Sequence, residues 1–456
     1  MRSLRDTNSR SVCRFFRWSR KSSSAFNSLK RVVVIARLSV DMADASLRKT
    51  KRRFGKIKRR FISTKRRDIL LKRRDDFLLL LLAELRSCFC GIFMPSCQAG
   101  RTEVAAEKQT KKDITSIYCC RRRTESPFAA FLFNIVQIMI QQIKEKVLSG
   151  GQITMQEAEY LYFSTDKQEL FAAAEEITAK MVGKVFEMCS IINAKSGKCS
   201  EDCKWCAQSA HYNGKCDIYS LLDYDEILSC AKMNERQGVK RYSLVCSGKR
   251  LSNQDVDKMC QMVRDLKKDT SLQICASLGL MGKEALQKLH DAGVSRYHCN
   301  LEAAPSYFPT LCSTHTTAEK LQTLQNAREV GMEVCSGGII GMGESAKQRL
   351  ELAFTLRETQ LQSVPVNILN PIEGTPLENT PPLAEEDILR TLAVFRFILP
   401  KVQIRFAGGR RLLDKSTVQQ AMRIAVNSAI VGDMLTTLGN DVSEDKQMIK
   451  TVGYDL

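Results

Sequence analysis

Residues 139–456 repeat one pattern, in which short apolar or β-branched runs alternate with longer amphipathic stretches. Eight such runs predict β-strands, because each is short, rich in strand-forming residues and bounded by polar or turn-forming residues. The predicted strands are Ser190–Ala194, Arg241–Cys246, Leu272–Ser277, Arg296–Leu301, Glu333–Ile340, Ser363–Leu369, Val402–Phe406 and Ser428–Val431.

The stretches between these runs have the spacing of helices, and three of them begin with a recognisable start signal. A side chain that can accept a hydrogen bond is followed three residues later by a second polar side chain, as in a capping box. The three signals are Ser252-x-x-Asp255, Thr316-x-x-Glu319 and Ser345-x-x-Gln348. Eight strands alternating with helices predict a (β/α)8 TIM-type barrel, with a doubly wound open sheet as the alternative.

Residues 1–138 have a different texture. Basic triplets such as Lys51–Arg53 and Arg121–Arg123 interrupt every apolar run before a periodic face can form. This segment holds 33 of the 70 lysines and arginines but 11 of the 50 acids, so it accounts for the whole net charge of +20. We predict a basic, disordered N-terminal extension in residues 1–138, followed by N-terminal helices in 139–188 and the barrel in 189–456.

Three interpretations of the extension stay open. The preferred one is that upstream DNA is translated in frame and that Met139 is the natural start. An organellar transit peptide comes second, because residues 1–40 are rich in arginine and serine with Asp6 as their one acid. A basic arm that binds nucleic acid comes third, and we consider nucleic acid an unlikely partner.

The cysteine content and the apolar runs limit the compartment. The longest apolar runs, Phe77–Ala83 and Phe128–Ile140, fall short of the roughly 18 residues that a membrane span requires. Eighteen cysteines without a secretory signal favour a reducing compartment and metal or redox chemistry over disulfides. We therefore predict a cytoplasmic protein without a membrane partner, or a mitochondrial one if the extension is a transit peptide.

Three cysteines are closely spaced directly after the first predicted strand. Cys199, Cys203 and Cys206 form C-x3-C-x2-C, and Trp205 precedes the last of them. Three thiolates can hold a 4Fe–4S cluster while leaving one iron without a protein ligand. A zinc site would need a fourth ligand, for which His211 is irregularly spaced. The motif resembles the signature of radical S-adenosylmethionine (SAM) enzymes, in which the open iron binds SAM.

Further cysteines fall on consecutive predicted strands. Cys246, Cys275, Cys299 and Cys335 lie on or next to strands two to five, and Arg405 lies on strand seven. Strands of a barrel can direct side chains to one interior site, so these residues predict a second metal cluster. Five other cysteines have no close partner in sequence and are interpreted as small buried hydrophobic residues: Cys189, Cys216, Cys230, Cys260 and Cys312.

The whole of residues 139–456 resembles the biotin synthase family. The resemblance is carried by Tyr297–Glu302, Val334–Glu344, Val364–Asn367, Gly374–Leu377 and Arg405–Arg410, together with the three-cysteine motif. It implies a (β/α)8 barrel, a homodimer and the insertion of sulfur into dethiobiotin. It also implies a 4Fe–4S cluster that cleaves SAM, an auxiliary iron–sulfur cluster that donates sulfur, and reduced flavodoxin or ferredoxin as electron donor.

The resemblance assigns most of the auxiliary ligands but leaves one open. The family uses three cysteines and one arginine, usually around a 2Fe–2S cluster, and Cys275, Cys335 and Arg405 match three of these positions. Ser243 occupies the fourth. Cys299, which replaces a family histidine, is the favoured substitute. Cys246 is the alternative, although its odd offset from Ser243 turns it to the opposite strand face. The cluster type therefore stays open.

Other residues match family contacts to SAM and substrate. Asn300 matches a contact to the SAM ribose and the substrate ureido ring, and an amide suits both because it donates and accepts. Glu302 matches an acid near SAM, and Asn367 a contact to dethiobiotin. Glycines after the fifth strand permit close approach of SAM or simply form a turn: Gly337, Gly338, Gly341 and Gly343. His298 and His315 receive no role.

Three alternative functions remain at this point. Another radical SAM enzyme of the same barrel subfamily, of the hydrogenase-maturation or methylornithine type, would keep the three-cysteine loop but lack the strand cysteines. A non-catalytic iron–sulfur protein would need no SAM, and the glycine-rich segment Gly337–Glu344 argues against it. A nucleic-acid-binding protein rests on residues 1–138 alone.

Overall fold

The computed structural model describes residues 139–432, 434–436 and 441–456. The predictions for residues 1–138 lie outside the described residues. Three helices open the described part, namely α1 (139–148), α2 (Met155–Phe163) and α3 (Lys167–Met181). Helix α2 begins with a complete capping box, in which Thr154 accepts from the Glu157 amide while the Glu157 carboxylate accepts from the Thr154 amide. These three helices precede β1, which begins at Glu187.

Parallel strands and helices then alternate to the end of the chain. The strands are β1 (Glu187–Lys195), β2 (Arg241–Cys246), β3 (Gln273–Ser277), β4 (Val294–His298), β5 (Glu333–Cys335), β6 (Gly338–Ile340), β7 (Ser363–Ile368), β8 (Gln403–Phe406) and β9 (Ser428–Ile430). The helices are α4 (Tyr224–Arg236), α5 (Asn253–Asp269), α6 (Lys283–Ala292), α7 (Thr317–Glu329), α8 (Ala346–Glu358), α9 (Glu385–Ile398), α10 (Lys415–Ile424) and α11 (Val442–Val452). None of the described helices has both the length and the apolar character needed to cross a membrane.

The strands form one closed sheet. Their order is β5-β4-β3-β2-β1-β9-β8-β7-β6, and every pairing is parallel. An additional pairing between Cys335 of β5 and Ser363 of β7 closes the ring. Because β5 and β6 together occupy one position, the ring has eight positions. The TIM-type barrel is confirmed, and closure excludes the open doubly wound sheet.

The fifth predicted strand is interrupted, which corrects the continuous run expected from Glu333–Ile340. The chain breaks strand pairing at Ser336 and Gly337 and resumes as β6. The cause is a close backbone approach, since a Cβ atom on Gly337 would lie 1.8 Å from the Pro365 carbonyl oxygen. A Cβ atom on Gly338 would likewise lie 2.5 Å from the carbonyl oxygen of Glu302. The two glycines therefore let three chain segments meet without side chains between them.

The two faces of the barrel wall differ in character. Tyr242 and Leu244 of β2 point outward and are fully buried in the apolar core between strands and helices. Arg241 and Ser243 alternate with them, so they lie on the inner face. Arg241 is 5% exposed and pairs with Glu187 of β1, from its Nε to the carboxylate Oε1 at 3.2 Å. The interior of the barrel is therefore polar and charged at this end.

The first prediction concerns Gly337. We expect Gly337→Ala to lower the free energy of unfolding by at least about 2 kcal/mol, because a new methyl group would overlap a backbone carbonyl. Thermal unfolding followed by circular dichroism measures the change. Gly282→Ala is the matched control, since Gly282 has φ −76° and a Cβ atom added there would have no neighbour within 4 Å. Equal melting temperatures for both variants would contradict the close-approach argument.

Candidate functional site

The three-cysteine motif lies on the loop that leaves the carboxyl end of β1. The loop turns at Gly197 and Lys198, whose φ angles are +76° and +47°. It then folds back on itself, because the Cys199 amide donates to the Gln208 carbonyl at 2.9 Å and the Ala210 amide donates to the Cys199 carbonyl at 2.8 Å. The Gln208 side chain also accepts from the Gly197 amide at 3.0 Å. The loop is thus held by its own backbone.

The thiols of this loop lie near one another and near the end of β4. Cys199, Cys203 and Cys206 are all half-buried. Burial raises the pKa of the Cys206 thiol to about 11, and the neighbouring Cys199 and Glu302 raise it as well. Three sulfur donors on one short loop fit an iron–sulfur cluster, because thiolates are the preferred ligands of such clusters.

Two residues that received no role from the sequence lie beside Cys203. The Cys312 sulfur lies 3.8 Å from the Cys203 sulfur and 3.3 Å from His315 Nδ1. The His315 ring is held in turn by Glu201, 2.7 Å from Nδ1 to Oε2. Among the described residues, Cys203, Cys312 and His315 form the one group of three such side chains whose ligand atoms all lie within 4.8 Å of one another, a spacing that suits a single metal ion. Sequence spacing could not reveal this group, because 109 residues separate the two cysteines.

Apolar side chains cover one side of the thiol loop. Trp205 packs edge-on against Phe308, with ring centroids 6.3 Å apart. Both Trp205 and Cys203 contact a small apolar cluster that includes Phe308, Leu311 and Met342. The aromatic residue before the last cysteine therefore anchors the loop to the segment after β4 and excludes water from that side.

The candidate SAM residues meet where β4 and the break between β5 and β6 come together. The Gly337 amide donates to Asn300 Oδ1 at 2.9 Å, and Asn300 Nδ2 lies 3.3 Å from Glu302 Oε2. The Glu302 backbone has φ +70° and pairs with Gly338. Burial raises the pKa of the Glu302 carboxyl above its ordinary value. Asn300, Glu302 and Gly338 thus form one hydrogen-bonded unit.

The candidate substrate residue joins the same unit from the other side. Asn367 on β7 donates from Nδ2 to the Gly338 carbonyl at 3.2 Å and accepts from the Gly408 amide at 2.9 Å. Its amide is therefore oriented by backbone groups of two neighbouring segments. The structure brings Asn300 and Asn367 to the same short glycine segment.

The glycine turn after β6 is held by a buried carboxylate. Gly341 has φ +94°, which requires glycine. Glu344 accepts from the amides of Gly341 and Met342 at 2.8 and 2.7 Å. Arg349 Nη1 lies 3.2 Å from Glu344, and both side chains are at most 5% exposed. The turn at Gly341 is consequently rigid, and its backbone carbonyls and amides are fixed in direction.

A second group of thiols lies inside the barrel. Cys275 on β3 and Cys335 on β5 are each 3% exposed. Arg241 Nη1 donates to the Cys275 sulfur at 3.5 Å. Arg405 on β8 is also 3% exposed, forms an ion pair with Glu187 and donates from Nε to Ser428 Oγ at 2.8 Å. Cationic side chains therefore surround the interior thiols.

These cations favour thiolates. Burial alone would raise the pKa of the Cys335 thiol. The neighbouring His298, Arg405 and Arg296 lower this pKa by more than burial raises it, so that it is about 6. His298 Nδ1 lies 3.3 Å from the Cys335 sulfur, so this histidine acquires a partner that the sequence did not show. A thiol that ionises near neutral pH in a dry, positively charged interior fits the donor set of an anionic iron–sulfur cluster.

The two candidates for the missing ligand lie elsewhere. Cys246 points outward with Tyr242 and Leu244 into the apolar core, as its odd offset predicts. Cys299 follows β4 and is also packed in the apolar core. The structure therefore brings neither thiol together with Cys275 and Cys335, whereas Cys189 of β1, interpreted from sequence as a small hydrophobic residue, lies outside that core.

Comparison with protein families and curated proteins agrees with this geometry. The Radical SAM superfamily profile matches residues 194–356, and that of the Biotin and Thiamin Synthesis associated domain matches residues 365–455. The chain is 50% identical to a biotin synthase of Porphyromonas gingivalis over 318 residues, which cover 70% of this chain and 96% of the relative. A biotin synthase of Clostridium botulinum strain Hall is 49% identical over 318 residues, covering 70% of this chain and 99% of the relative.

Solved structures share the fold at low sequence identity. A methylornithine synthase superposes with a TM-score of 0.61 at 18% identity, covering 69% of this chain and 96% of the other. An FeFe-hydrogenase maturase from Carboxydothermus hydrogenoformans superposes with a TM-score of 0.60 at 15% identity, covering 72% and 83%. These likenesses confirm the barrel.

The second prediction concerns Cys312. The hydrogen bond from Cys203 lowers the pKa of the Cys312 thiol to about 7, against the effect of burial, so a large share of it is thiolate at neutral pH. We expect hydrogen peroxide to oxidise Cys312 in the metal-free chain and Cys203, 3.8 Å away, to close a disulfide. Peptide mass spectrometry after alkylation identifies the pair.

Cys312→Ser is the matched variant, and it should leave Cys203 available for alkylation after the same treatment. Pairing of Cys203 with Cys199 or Cys206 in the unaltered chain, with Cys312 free, would contradict the prediction.

Proposed function

Because the chain belongs to the biotin synthase family, we propose that its two thiol sites hold the two iron–sulfur clusters of that enzyme type. The chain is a radical SAM enzyme of biotin synthesis, and the reaction is the conversion of dethiobiotin to biotin. The observation that carries the assignment of sites is the presence of two separate thiol groups, one on the loop after β1 and one inside the barrel. The alternatives considered from the sequence, of the hydrogenase-maturation or methylornithine type, are expected to keep the loop thiols but to lack the cysteines on the strands.

Cys199, Cys203 and Cys206 are the proposed ligands of the 4Fe–4S cluster that binds SAM. These three thiols would hold the cluster that supplies reductive cleavage of SAM, and the interior residues would hold the auxiliary cluster that supplies sulfur. The chain contributes position and exclusion of water. Trp205 and Phe308 cover the loop, which protects a reactive centre from solvent.

Asn300, Glu302, Gly338 and Gly341 are the proposed SAM contacts. Support comes from the hydrogen-bonded unit around Gly337, in which Asn300 and Glu302 have fixed directions. Asn300 and Asn367 are the proposed contacts of dethiobiotin, because both are carboxamides held by backbone groups and a cyclic urea needs a donor and an acceptor. Their shared anchor on the glycine segment would hold SAM and substrate at a fixed separation.

Cys275, Cys335 and Arg405 are the proposed auxiliary ligands. The positive surroundings, from Arg241 and Arg296, reduce the cost of burying an anionic cluster. We propose a 2Fe–2S cluster for this site, because that is the family's usual type. Counting iron and sulfide per chain tests the type. A thiol is missing at position 243, which is occupied by serine. Cys246 or Cys299 could supply the missing ligand only if the apolar core rearranged.

The proposed partners are SAM, dethiobiotin, and reduced flavodoxin or ferredoxin as electron donor. A homodimer is the proposed assembly. We propose that residues 139–456 carry the whole activity, because the matched curated relatives are covered almost completely by about this segment. Free thiols at both sites need a reducing compartment, which supports the cytoplasm as the proposed location.

The third prediction tests the SAM-binding cluster. Cys203→Ala should abolish formation of 5′-deoxyadenosine, because two thiolates cannot hold a 4Fe–4S cluster in which one iron is open to SAM. Anaerobic chromatography of reaction products measures the yield. Cys260→Ala is the control, since Cys260 lies on α5 in the apolar core. Normal 5′-deoxyadenosine formation by Cys203→Ala would rule out the assignment.

The fourth prediction separates the two clusters. Cys275→Ser and Cys335→Ser should retain uncoupled SAM cleavage but form no biotin, because the sulfur source is lost while the loop after β1 is untouched. Iron and acid-labile sulfide per chain should fall to the amount found for one cluster. Biotin formation at the unaltered rate in either variant would show that the interior thiols hold no sulfur-donating cluster.

A further inference from the structure

The buried thiols of the described chain divide into two groups. Cys246, Cys260 and Cys299 are packed in the apolar core between the strands and the helices, and Cys312 lies in the small apolar cluster beside the thiol loop. Cys189 and the two proposed auxiliary ligands, Cys275 and Cys335, are each 3% exposed, yet none of these three belongs to an apolar cluster. Cys189 therefore shares its environment with the interior thiols.

The pairing register shows which interior residues lie at one level of the barrel. The strands of an eight-stranded barrel of shear 8 are tilted. The residue at the same height on the next strand is therefore about one position further along the chain than the hydrogen-bonded partner. Each ring takes its side chains from alternate strands, so a step of two strands moves two residues along the chain. This rule can be followed around the whole barrel from Cys275.

The first step leads from β3 to β5. Cys275 pairs with Arg296 on β4, and Arg296 pairs with Glu333 on β5. Cys335 lies two residues beyond Glu333. Cys275 and Cys335 therefore belong to the same ring.

The second step leads from β5 past β7 to β8. Cys335 pairs with Ser363 on β7, and Ser363 pairs with Gln403 on β8. Arg405 lies two residues beyond Gln403. The arginine that the family uses as a ligand is consequently the third member of the ring.

The third step leads from β8 past β9 to β1. Arg405 pairs with Ser428 on β9, and Ser428 pairs with Glu187 on β1. Cys189 lies two residues beyond Glu187 and therefore points to the same face. That face is the barrel interior, because the Glu187 carboxylate forms its ion pair with Arg405. Cys189 is the fourth member of the ring.

The last step closes the circle. Ile191, two residues beyond Cys189, pairs with Ser243 on β2, and Ser243 pairs with Cys275. Four alternate positions of the barrel thus place three thiols and one guanidinium at one level. Ser243 stands on the strand between Cys189 and Cys275, so a thiol on β1 can replace one on β2 with a small shift of position.

The electrostatic surroundings agree with the register. The groups that act electrostatically on the Cys189 thiol are Arg405, Cys275, Glu187 and Cys335, which are the interior residues of the same ring and its ion pair. The charged neighbours of Cys246 and Cys299 lie outside this ring. Lys195 acts electrostatically on Cys246, and Lys320 acts on Cys299. The Cys189 sulfur makes one long contact, 3.6 Å to the Ser190 carbonyl, which leaves it free to bind a metal.

We propose that Cys189 is the third thiolate ligand of the auxiliary iron–sulfur cluster, supplied by β1 in place of the thiol that Ser243 lacks on β2. The inference rests on the proposed function, because it takes the interior cluster as given. It assigns the ligand set Cys189, Cys275, Cys335 and Arg405.

The test is iron and sulfide counting with Mössbauer spectra on the full-length chain after anaerobic reconstitution with ⁵⁷Fe and sulfide. We expect Cys189→Ser to lack the Mössbauer signal and the iron of the auxiliary cluster, as is also expected for Cys275→Ser. The variant should still form 5′-deoxyadenosine from SAM. Cys246→Ser, Cys299→Ser and the control Cys260→Ala should keep both clusters. Auxiliary iron and spectrum unchanged in Cys189→Ser would overturn the proposal.

Two further outcomes are distinct. If the unaltered chain and every variant contain one cluster only, the proposed function of the interior site fails. If the unaltered chain contains two and Cys299→Ser or Cys246→Ser loses the second while Cys189→Ser keeps it, the function stands and Cys189 is not the ligand.

A second pair of variants covers the case in which Cys189→Ser does not fold. Cys189→Ala is compared with Cys189→Ala/Ser243→Cys, which returns the thiol to β2. Recovery of the auxiliary iron in the double variant alone supports the proposal, whereas full auxiliary iron in Cys189→Ala overturns it.

Discussion

The tilt of the strands in the closed barrel is the constraint on which both sites depend. Closure through β5 and β7 fixes the stagger of all eight positions, and the stagger determines which inward side chains meet. Residues far apart in sequence therefore share a level, while neighbours in the hydrogen-bonded ladder do not. The same closure brings the loop after β1 and the glycine break after β5 to one end of the barrel.

The barrel interior is strongly charged near the interior thiols. Arg241, Arg296 and Arg405 converge on Glu187, and their charges lower the pKa of its carboxyl although burial alone would raise it. These three guanidinium groups face two carboxylates, Glu187 and Glu333, which leaves one positive charge in excess in a space from which water is largely excluded. Such an arrangement is costly unless an anion compensates it. The iron–sulfur cluster that we propose for the interior thiols would supply that anion, so the charge of the surrounding side chains supports the proposal.

Much of this architecture could be predicted from the sequence because its signals are local. The eight runs, the capping boxes at Thr316 and Ser345 and the three-cysteine loop each depend on residues within about eight positions of one another, and the structure confirms the elements they predict. The break at Gly337 was not predictable, since its cause is the carbonyl of Pro365 on another strand. Cys312 and His315 escaped notice for the same reason, because they approach Cys203 only through the fold.

The auxiliary site shows most clearly why the rest could not be predicted. Sequence reasoning treated consecutive strands as the natural source of converging thiols, which favoured Cys299 next to Cys275. In a barrel, however, alternate strands supply each level, and the level itself moves two residues per step. Only the observed register, from Cys275 through Glu333 and Gln403 to Glu187, reveals that β1 belongs to the ring. Ser243 on β2 belongs to the other set of alternate strands, so a thiol at that position would approach the ring from one residue away, whereas Cys189 on β1 lies in the ring itself.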